Sequence, residues 1–538
     1  MIIDLSECDA DRAETSDVCI IGAGIAGLFL ATRLTARGLR VVVLESGGRT
    51  QDDADHPLNH VKIVGQPYGG ATRGRARCLG GTSTLWGGAL IPFFEADLLT
   101  RPHLGVEAWP VGFGELEPYL SEIEHIFGID HSGYDGVSLD RLNDHYKNVR
   151  SDPDIVPRFA KWPTFKNRNV ATLFQDTLST SENLAVLLNA NATDFAINRE
   201  TRRLETITAR SRTGQRVIVT SQQFVICSGA IEATRLALLL DRQTDGRPFE
   251  GCSALGRYFH DHISMPAGCV KPRDRDGLNR LAGFRFSGRT MRSLRFELSS
   301  PAQAADGVAS AFAHIGFEAT RVSGFAALRT IMQAVQKRQR VRGSDLLALG
   351  QDLPYLMRAG YWRAVYRQLL WPSPANYDLH MVAEQLPRAE NRIVLDDATD
   401  MFDCQIAAID WRVSSADMGT IQAFAKRFDT FWTRQGLDMV ADIDWILDLK
   451  TDGMIDPPSA LGDIYHPGGT TRMGCDPTQS VVNADLNTFA VPNLSIASTS
   501  VFPTGASANP TLMLIAFSLR LGDHLAQRLA PSGGTMAR

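Results

Sequence analysis

The chain has 538 residues, 44% of them hydrophobic and 21% charged, with a net charge of −5. That length supports a large core, as two intertwined domains or three, and the charge balance excludes a global basic field of the kind that binds nucleic acid. Eight cysteines (Cys8, Cys19, Cys78, Cys227, Cys252, Cys269, Cys404 and Cys475) stand singly with no CxxC pair, which argues against a zinc site or disulfide framework and predicts buried reduced thiols.

The N-terminal stretch MIIDLSECDADRAETSD is acidic and lacks the basic start and apolar run of a secretory signal. No stretch reaches the roughly 18 apolar residues of a membrane span, so a cytoplasmic location is expected. Residues 17–21, DVCII, read as a short buried strand. Gly22-Ala23-Gly24-Ile25-Ala26-Gly27 follows, then the helically spaced LFLATRLTARG and a second strand, VVVLE, at 41–45. In such a unit Gly22 permits the tight turn, and Gly24 lets a pyrophosphate approach the backbone at a helix N-terminus. Gly27 lets helix and strand pack closely. Glu45 stands where a carboxylate accepts hydrogen bonds from an adenosine ribose. The pattern predicts dinucleotide binding but does not separate FAD from NAD.

Residues 66–92, QPYGGATRGRARCLGGTSTLWGGALIP, crowd seven glycines with Arg73, Arg75 and Arg77. Glycine-rich backbone beside cations suits a second wall around a phosphate-bearing cofactor, and Trp86 in such a loop is expected to pack on something. From about 183 to 240 the pattern is mostly strands, ending in the buried FVIC, then Ser228-Gly229 and the helix IEATRLALLL. This predicts a return to the nucleotide-binding sheet. From about 270 to 455 the texture changes. DLHMVAEQ and NRIVLD read as short strands, and DMGTIQAFAKRFDTFWTRQ as an amphipathic helix, in a unit with a mixed or antiparallel sheet.

Gly324 to Pro372 carries eight cations and only two acids, Asp345 and Asp352, among Leu, Trp, Tyr and Phe. Basic helices of this kind lie on an anionic membrane or a partner protein, or form a solvated lid or oligomer contact; the last pair is favoured. His260 and His262 bracket Asp261 without a further ligand set, so no metal is expected. That segment is expected to pack or hydrogen-bond between domains. Ser228 lacks the GxSxG context of a nucleophile.

The C-terminal part opens on YHPGGTTRMG (465–474), which sets His466 beside Pro467 and two glycines. NLSIAS reads as a strand. SVFPTGASANP is a turn-rich loop carrying Asn509, and TLMLIAFSLRLGDHL is an apolar helix beginning just after Pro510. The helix N-terminus carries partial positive charge, suited to an anion such as the N1/C2-carbonyl region of a reduced flavin.

Over nearly its whole length the sequence resembles the glucose–methanol–choline (GMC) family of FAD-dependent oxidoreductases. The resemblance rests on the glycine fingerprint, LGGTSTLWGG, FVICSGAIEATRLALL, YHPGGTTRMG and SVFPTGASANPTLMLIAFSLRLGDHL. It implies an α/β architecture: a Rossmann-like FAD-binding domain (1–130, 166–268 and 456–538) and a mixed or antiparallel-sheet substrate-binding domain (131–165 and 269–455), with the basic helical insertion at about 323–372. It implies that His466 is the catalytic base and Asn509 the second catalytic position. FAD contacts are then expected from Gly22, Gly24, Gly27, Glu45, Arg77, Gly80, Gly81, Thr82, Ser83, Trp86, Gly87, Ser228, Gly229, Thr499, Pro510 and Thr511. Leu85 stands where some members carry a histidine bonded to the flavin, so non-covalent FAD is expected. EQLPRAENRIVL resembles a stretch of the sugar- and polyol-oxidising branch. Gln385, Met381 and Trp411 are expected on the substrate wall.

The expected activity is oxidation of a sugar, glycoside or amino-sugar hydroxyl, with oxygen, a quinone or another carrier taking the electrons. Alternatives are an FAD-containing lyase using the same base, an NAD-dependent dehydrogenase, and a membrane-peripheral quinone-linked dehydrogenase.

Overall fold

The computed structural model describes residues 1–51, 56–135, 152–319, 324–350, 352–450, 457–458 and 460–530. Parts of the expected segments 131–165 and 456–538, including the tail PSGGTMAR, lie outside these. The continuous apolar runs VVVL and FVI become the centre of a sheet covered on both faces, as such runs require. Its order is Ile2–Asp4, Leu184–Leu188, Val41–Leu44, Arg12–Ile21, Arg216–Ile226, then Leu204–Arg210 and Asn191–Ile197. The first five are parallel, and the last two close an antiparallel meander. Leu494–Ile496 joins in parallel on the end of Arg216–Ile226. The helices Ile25–Ala36 and Thr511–Leu529 pack together over it. A side chain at Gly522 would meet Arg33 Cγ at 2.7 Å, so a glycine is what lets the last helix close on the first.

The second sheet is antiparallel, in the order Arg285–Ser287, Thr290–Leu298, Ala311–Ala319, Ala375–Glu384, His262–Pro272 and Ala441–Trp445. Ile155–Trp162 pairs with Thr290–Leu298 and Gly462–Asp463 with His262–Pro272. Alternation divides its two faces. Leu294, Phe296, Ala313, Met381, Ala383, Ile263 and Met265 point into a core shared with Phe424, Phe428, Phe431 and Trp432 of the helix Ser415–Arg434. The residues between them in sequence, Arg295, Phe312, His314, His380, Glu384 and His262, fall on the other face. The basic segment forms the helices Gly324–Lys337, Gly343–Gly350 and Leu353–Val365, set between two strands that pair directly, from Ala311↔Ala383 to Ala319↔Ala375.

None of the eight cysteines is in a disulfide. Cys19, Cys78, Cys227 and Cys404 are buried as expected, whereas Cys269 and Cys475 are exposed. No helix among the described residues is long and apolar enough to cross a membrane.

Between the sheets lies a fully buried carboxylate, Glu384. Arg101 grips it at 2.6 and 2.8 Å, and it also accepts from Ser310 Oγ (3.0 Å) and the Ala506 amide (3.1 Å). Burial alone would raise its pKa; the Arg101 charge and these bonds overcome that and hold it at about 2. Removing one partner of such a pair leaves an uncompensated buried charge. Glu384→Ala is therefore expected to cost about 3–5 kcal/mol, read as a lowered thermal unfolding midpoint. Because the folded pKa is depressed, the stabilisation is present above the ordinary carboxylate value of about 4.3 and is lost as pH falls towards 2.

Candidate active site

The nucleotide cradle is built from close backbone approaches. Gly22 sits at φ +108, and a Cβ there would lie 2.8 Å from Cys227 O; at Gly27 a Cβ would lie 1.9 Å from Gly22 O. A Cβ on Gly24 would lie 4.0 Å from Gly81 Cα, so the glycine loop forms the facing wall. Gly24 caps the helix Ile25–Ala36 without a side-chain hydrogen bond, leaving first-turn amides for an anion. Glu45, 5% exposed, ends the strand Val41–Leu44 and accepts from Ala23 N (2.8 Å) and Gly47 N (2.9 Å). A cavity beside it is lined by Ile21, Gly22, Ser46, Ala190, Arg77 and Ser228. Ser228 Oγ is buried there without a protein partner, and Gly229, at φ +75, opens the helix Ala230–Gln243.

The arginines of this loop serve differently from the expected phosphate wall. Arg77 (2.8 Å), Arg75 (3.2 Å) and Arg235 (2.9 Å) converge on the buried Glu232. Burial would raise that carboxyl, but the three guanidiniums bring it to about 2. Their charge is thus spent inside the protein, although Arg77 still lines the cavity. Trp86 packs as expected: its indole N–H donates to Arg168 O (2.8 Å) and its ring lies 6.2 Å from Phe127. Ser83 Oγ donates to Gly80 O (2.5 Å), Thr82 and Gly87 are exposed, and a Cβ on Gly87 would meet the Trp162 ring at 2.9 Å. Glu45, the two facing glycines, the free helix amides and the orphan Ser228 hydroxyl fit the ribose, pyrophosphate and adenosine parts of FAD.

The His466 turn is fastened to the His260–His262 segment. A Cβ on Gly469 (φ +88) would lie 2.1 Å from Tyr258 O, and one on Gly468 would lie 2.6 Å from His260 Cε1. Gly468 N donates to His260 O (2.8 Å), and His466 N donates to Asp261 Oδ1 (2.9 Å). Asp261 also accepts from Tyr68 OH (2.6 Å) and its own neighbour's amide, His262 N (2.6 Å). The segment thus hydrogen-bonds to the stretches around Tyr68, Gln385 and His466. Among the described residues no group of three or more His, Cys, Asp or Glu could hold a metal.

The side chains then form a chain of hydrogen bonds whose two ends admit one polarity. His262 Nε2 lies 2.7 Å from Ala506 O, which can only accept, so that nitrogen carries the proton. Burial lowers the His262 pKa, and in the neutral ring Nδ1 is then bare. His466 Nδ1, 2.9 Å away, must donate to it. At the far end Arg295, which can only donate, binds Asn509 Oδ1. That turns the Asn509 amide so that Nδ2 donates to His466 Nε2, 3.1 Å away. Both ends leave the His466 lone pair on Nε2. Desolvation, with the nearby His262 and Arg295, lowers the His466 pKa well below the ordinary imidazole value. Arg295 is 7% exposed, lies 4.3 Å from the Phe312 ring centroid, and has an Nη1 without a protein partner.

Thr499 Oγ1 donates to Pro467 O (2.6 Å), tying the two C-terminal loops together. Pro510 precedes the helix that starts at Thr511 with no side-chain cap, so its first amides are left free beside Asn509. The expected substrate residues lie elsewhere. Met381 is on the core face of its strand with no exposure. Gln385 and Trp411 are buried and bonded to each other, Trp411 Nε1 to Gln385 Oε1 at 2.7 Å, and Gln385 also accepts from Asp261 N. They brace Asp261, and through it the His466 turn. Sequence reasoning missed His262, Arg295 and Glu384 as parts of the site. The only local signal was the HDH triplet, which was read as interdomain packing.

Gly81→Ala would add a Cβ 2.8 Å from Gly24 Cα at φ +52. Purified Gly81→Ala protein is expected to carry much less flavin, seen as a lower ratio of flavin to protein absorbance.

Residues 387–518 match the family model of the GMC oxidoreductases, and residues 17–55 match that of the FAD dependent oxidoreductases. The chain is 24% identical to 2-methyl-1,2-propanediol dehydrogenase of Mycolicibacterium austroafricanum, over 96% of both chains. It is 23% identical to 6'''-hydroxyparomomycin C oxidase of Streptomyces lividus, over 96% of this chain and 92% of that one. The crystal structure of pyridoxine 4-oxidase from Mesorbium loti superposes with a TM-score of 0.59 at 16% identity, covering 94% of this chain and 98% of the other; this similarity concerns the fold. With the cradle and the C-terminal turn joined in one molecule, and a family model matched at each, the chain is an FAD-dependent oxidoreductase that carries the C-terminal domain of the GMC oxidoreductases.

Proposed function

We propose that the protein oxidises a primary or secondary hydroxyl of a polyol, sugar, glycoside or amino sugar, with His466 as general base and Asn509 orienting the hydroxyl. The observation that carries this reading is the lone pair on His466 Nε2, fixed from both ends of the hydrogen-bond chain. Relatives that act on a propanediol and an aminoglycoside support the substrate class.

An alkoxide is a far better hydride donor than its alcohol, so a base at the hydroxyl is the chemical requirement. His466 Nε2 takes the hydroxyl proton. The substrate hydroxyl takes the place of the Asn509 amide on Nε2, and the displaced Nδ2 hydrogens turn to the substrate oxygen, where they stabilise developing negative charge. His262 acts through His466: its bare Nδ1 holds the Nδ1 proton and hence the tautomer. Bound FAD supplies a two-electron acceptor for the hydride leaving the carbinol carbon. We assign its binding to the cradle around Gly22, Gly24, Glu45, Gly81 and Ser228, with the first amides of the Thr511 helix on its anionic edge. For the substrate wall we replace Gln385, Met381 and Trp411 with the half-buried residues on the His262 face of the sheet: His314, His380 and Ser293. The two imidazoles are stacked at 5.4 Å, a flat polar platform suited to hydroxylated rings. We assign the nucleotide and substrate parts to the two sheets.

His466→Ala should retain FAD while anaerobic flavin reduction by a panel of polyols, sugars and glycosides slows by about 10²–10⁴-fold. Substrate that turns over without bleaching the flavin would favour a lyase instead. Since the His466 pKa is lowered, kcat/KM should be flat from pH 8 through 6.5 and fall only well below about 6.5, where the base becomes protonated. His262→Phe should lower kcat on the order of 10²-fold with little change in KM, while His262→Asn, whose amide oxygen can accept the Nδ1 proton, restores most of the rate.

A further inference from the structure

The helix Leu353–Val365 exposes Leu353 (59%), Met357 (70%), Tyr361 (57%) and Val365 (54%), four large apolar side chains at successive spacings of four residues. They form a stripe along one side of the helix. The opposite side is anchored: Trp362 is 3% exposed, and Tyr355 OH donates to Leu370 O at 2.7 Å. Leu346 (56%) and Leu347 (72%) of the preceding helix are exposed as well. Apolar residues concentrated this way on one surface mark an interaction site. Arg340, Arg342 and Arg367 near them are exposed, as are Arg358, which pairs with Asp276, and Arg363, which lies over the Phe286 ring. Residues 324–372 hold eight cations and two acids, a local net charge of +6 in a chain whose total is −5. One of the two acids, Asp352, is turned inward to accept from Gly324 N at 3.0 Å.

We propose that this surface, formed by the helices Gly343–Gly350 and Leu353–Val365, docks the enzyme on an anionic lipid bilayer. An apolar stripe bordered by arginines is the composition of a helix lying in the plane of a membrane interface. Its apolar side enters the acyl boundary and its guanidiniums meet the headgroup phosphates. A second copy of the chain fits less well, because a two-fold contact would set this patch against itself, cation facing cation. The surface is tied to the cofactor loop. Gln336, 4% exposed near the end of the helix Gly324–Lys337, donates to Ser83 O (3.1 Å) and Trp86 O (3.0 Å). The docking helices pack on the helix that carries Gln336, so docking sets the membrane one helix away from the cofactor loop.

The test uses the full-length, FAD-loaded protein and flotation with phosphatidylcholine vesicles, with or without phosphatidylglycerol. Binding is expected only to the anionic vesicles and to weaken with salt. Met357→Glu with Tyr361→Glu should reduce the bound fraction by more than about tenfold, as should Arg340→Glu with Arg342→Glu. Flavin content and turnover of a soluble substrate should remain unchanged in both variants, which separates loss of docking from loss of fold. Failure to bind anionic vesicles at low salt overturns the proposal, as does equal binding to neutral vesicles. Self-association or capture of an acidic protein that Met357→Glu abolishes, without vesicle binding, also overturns it in favour of a protein partner.

Discussion

One residue of the last loop, Ala506, is held by its backbone N–H and by its backbone carbonyl, and the reactive part of the molecule is organised by that grip. Glu384 accepts its N–H and His262 donates to its carbonyl. Ala506 sits at φ +50, a left-handed conformation that side-chain-bearing residues seldom adopt, and two partners keep it there. A buried peptide without partners would be costly. The same bond that satisfies this carbonyl also decides where the protons lie on two imidazoles.

The two partners of Ala506 come from adjacent strands of the antiparallel sheet, in direct register: His262 is opposite Glu384. The loop they hold leads into the helix that packs on the first helix of the nucleotide sheet. A single sheet register thus sets the His262–His466 pair against the loop before the last helix. Glu384 is in turn neutralised by Arg101, which lies outside both sheets. The site is therefore assembled at a seam, where neither sheet alone would supply a complete set of donors and acceptors.

Much of this was legible in the sequence wherever the determinant was local. Gly22, Gly24 and Gly27 declare a tight backbone approach by their spacing, and the runs VVVL and FVI declare strands covered on both faces. The HPGG turn and the helix start after Asn509 were readable from turn and capping chemistry. What escaped was set by pairing across long separations. His262 and His466 are 204 residues apart, and Arg295 and Asn509 are 214 apart. Met381 was placed in the right strand but on the wrong face, since a shift of one residue decides between core and site. Arg75 and Arg77 looked free because Glu232, which neutralises them, lies on a helix more than 150 residues later.

The three helices of residues 324–365 leave and re-enter the second sheet between strands that are already hydrogen-bonded to each other from Ala311 to Ala319. Nothing in the strand pairing depends on what fills that excursion, and closing a longer or shorter loop changes the entropy only slowly with length. The position is a natural graft point. Selection can replace the two outer helices and change what the enzyme touches, while the helix beneath them, through Gln336, keeps its hold on the 83–86 loop.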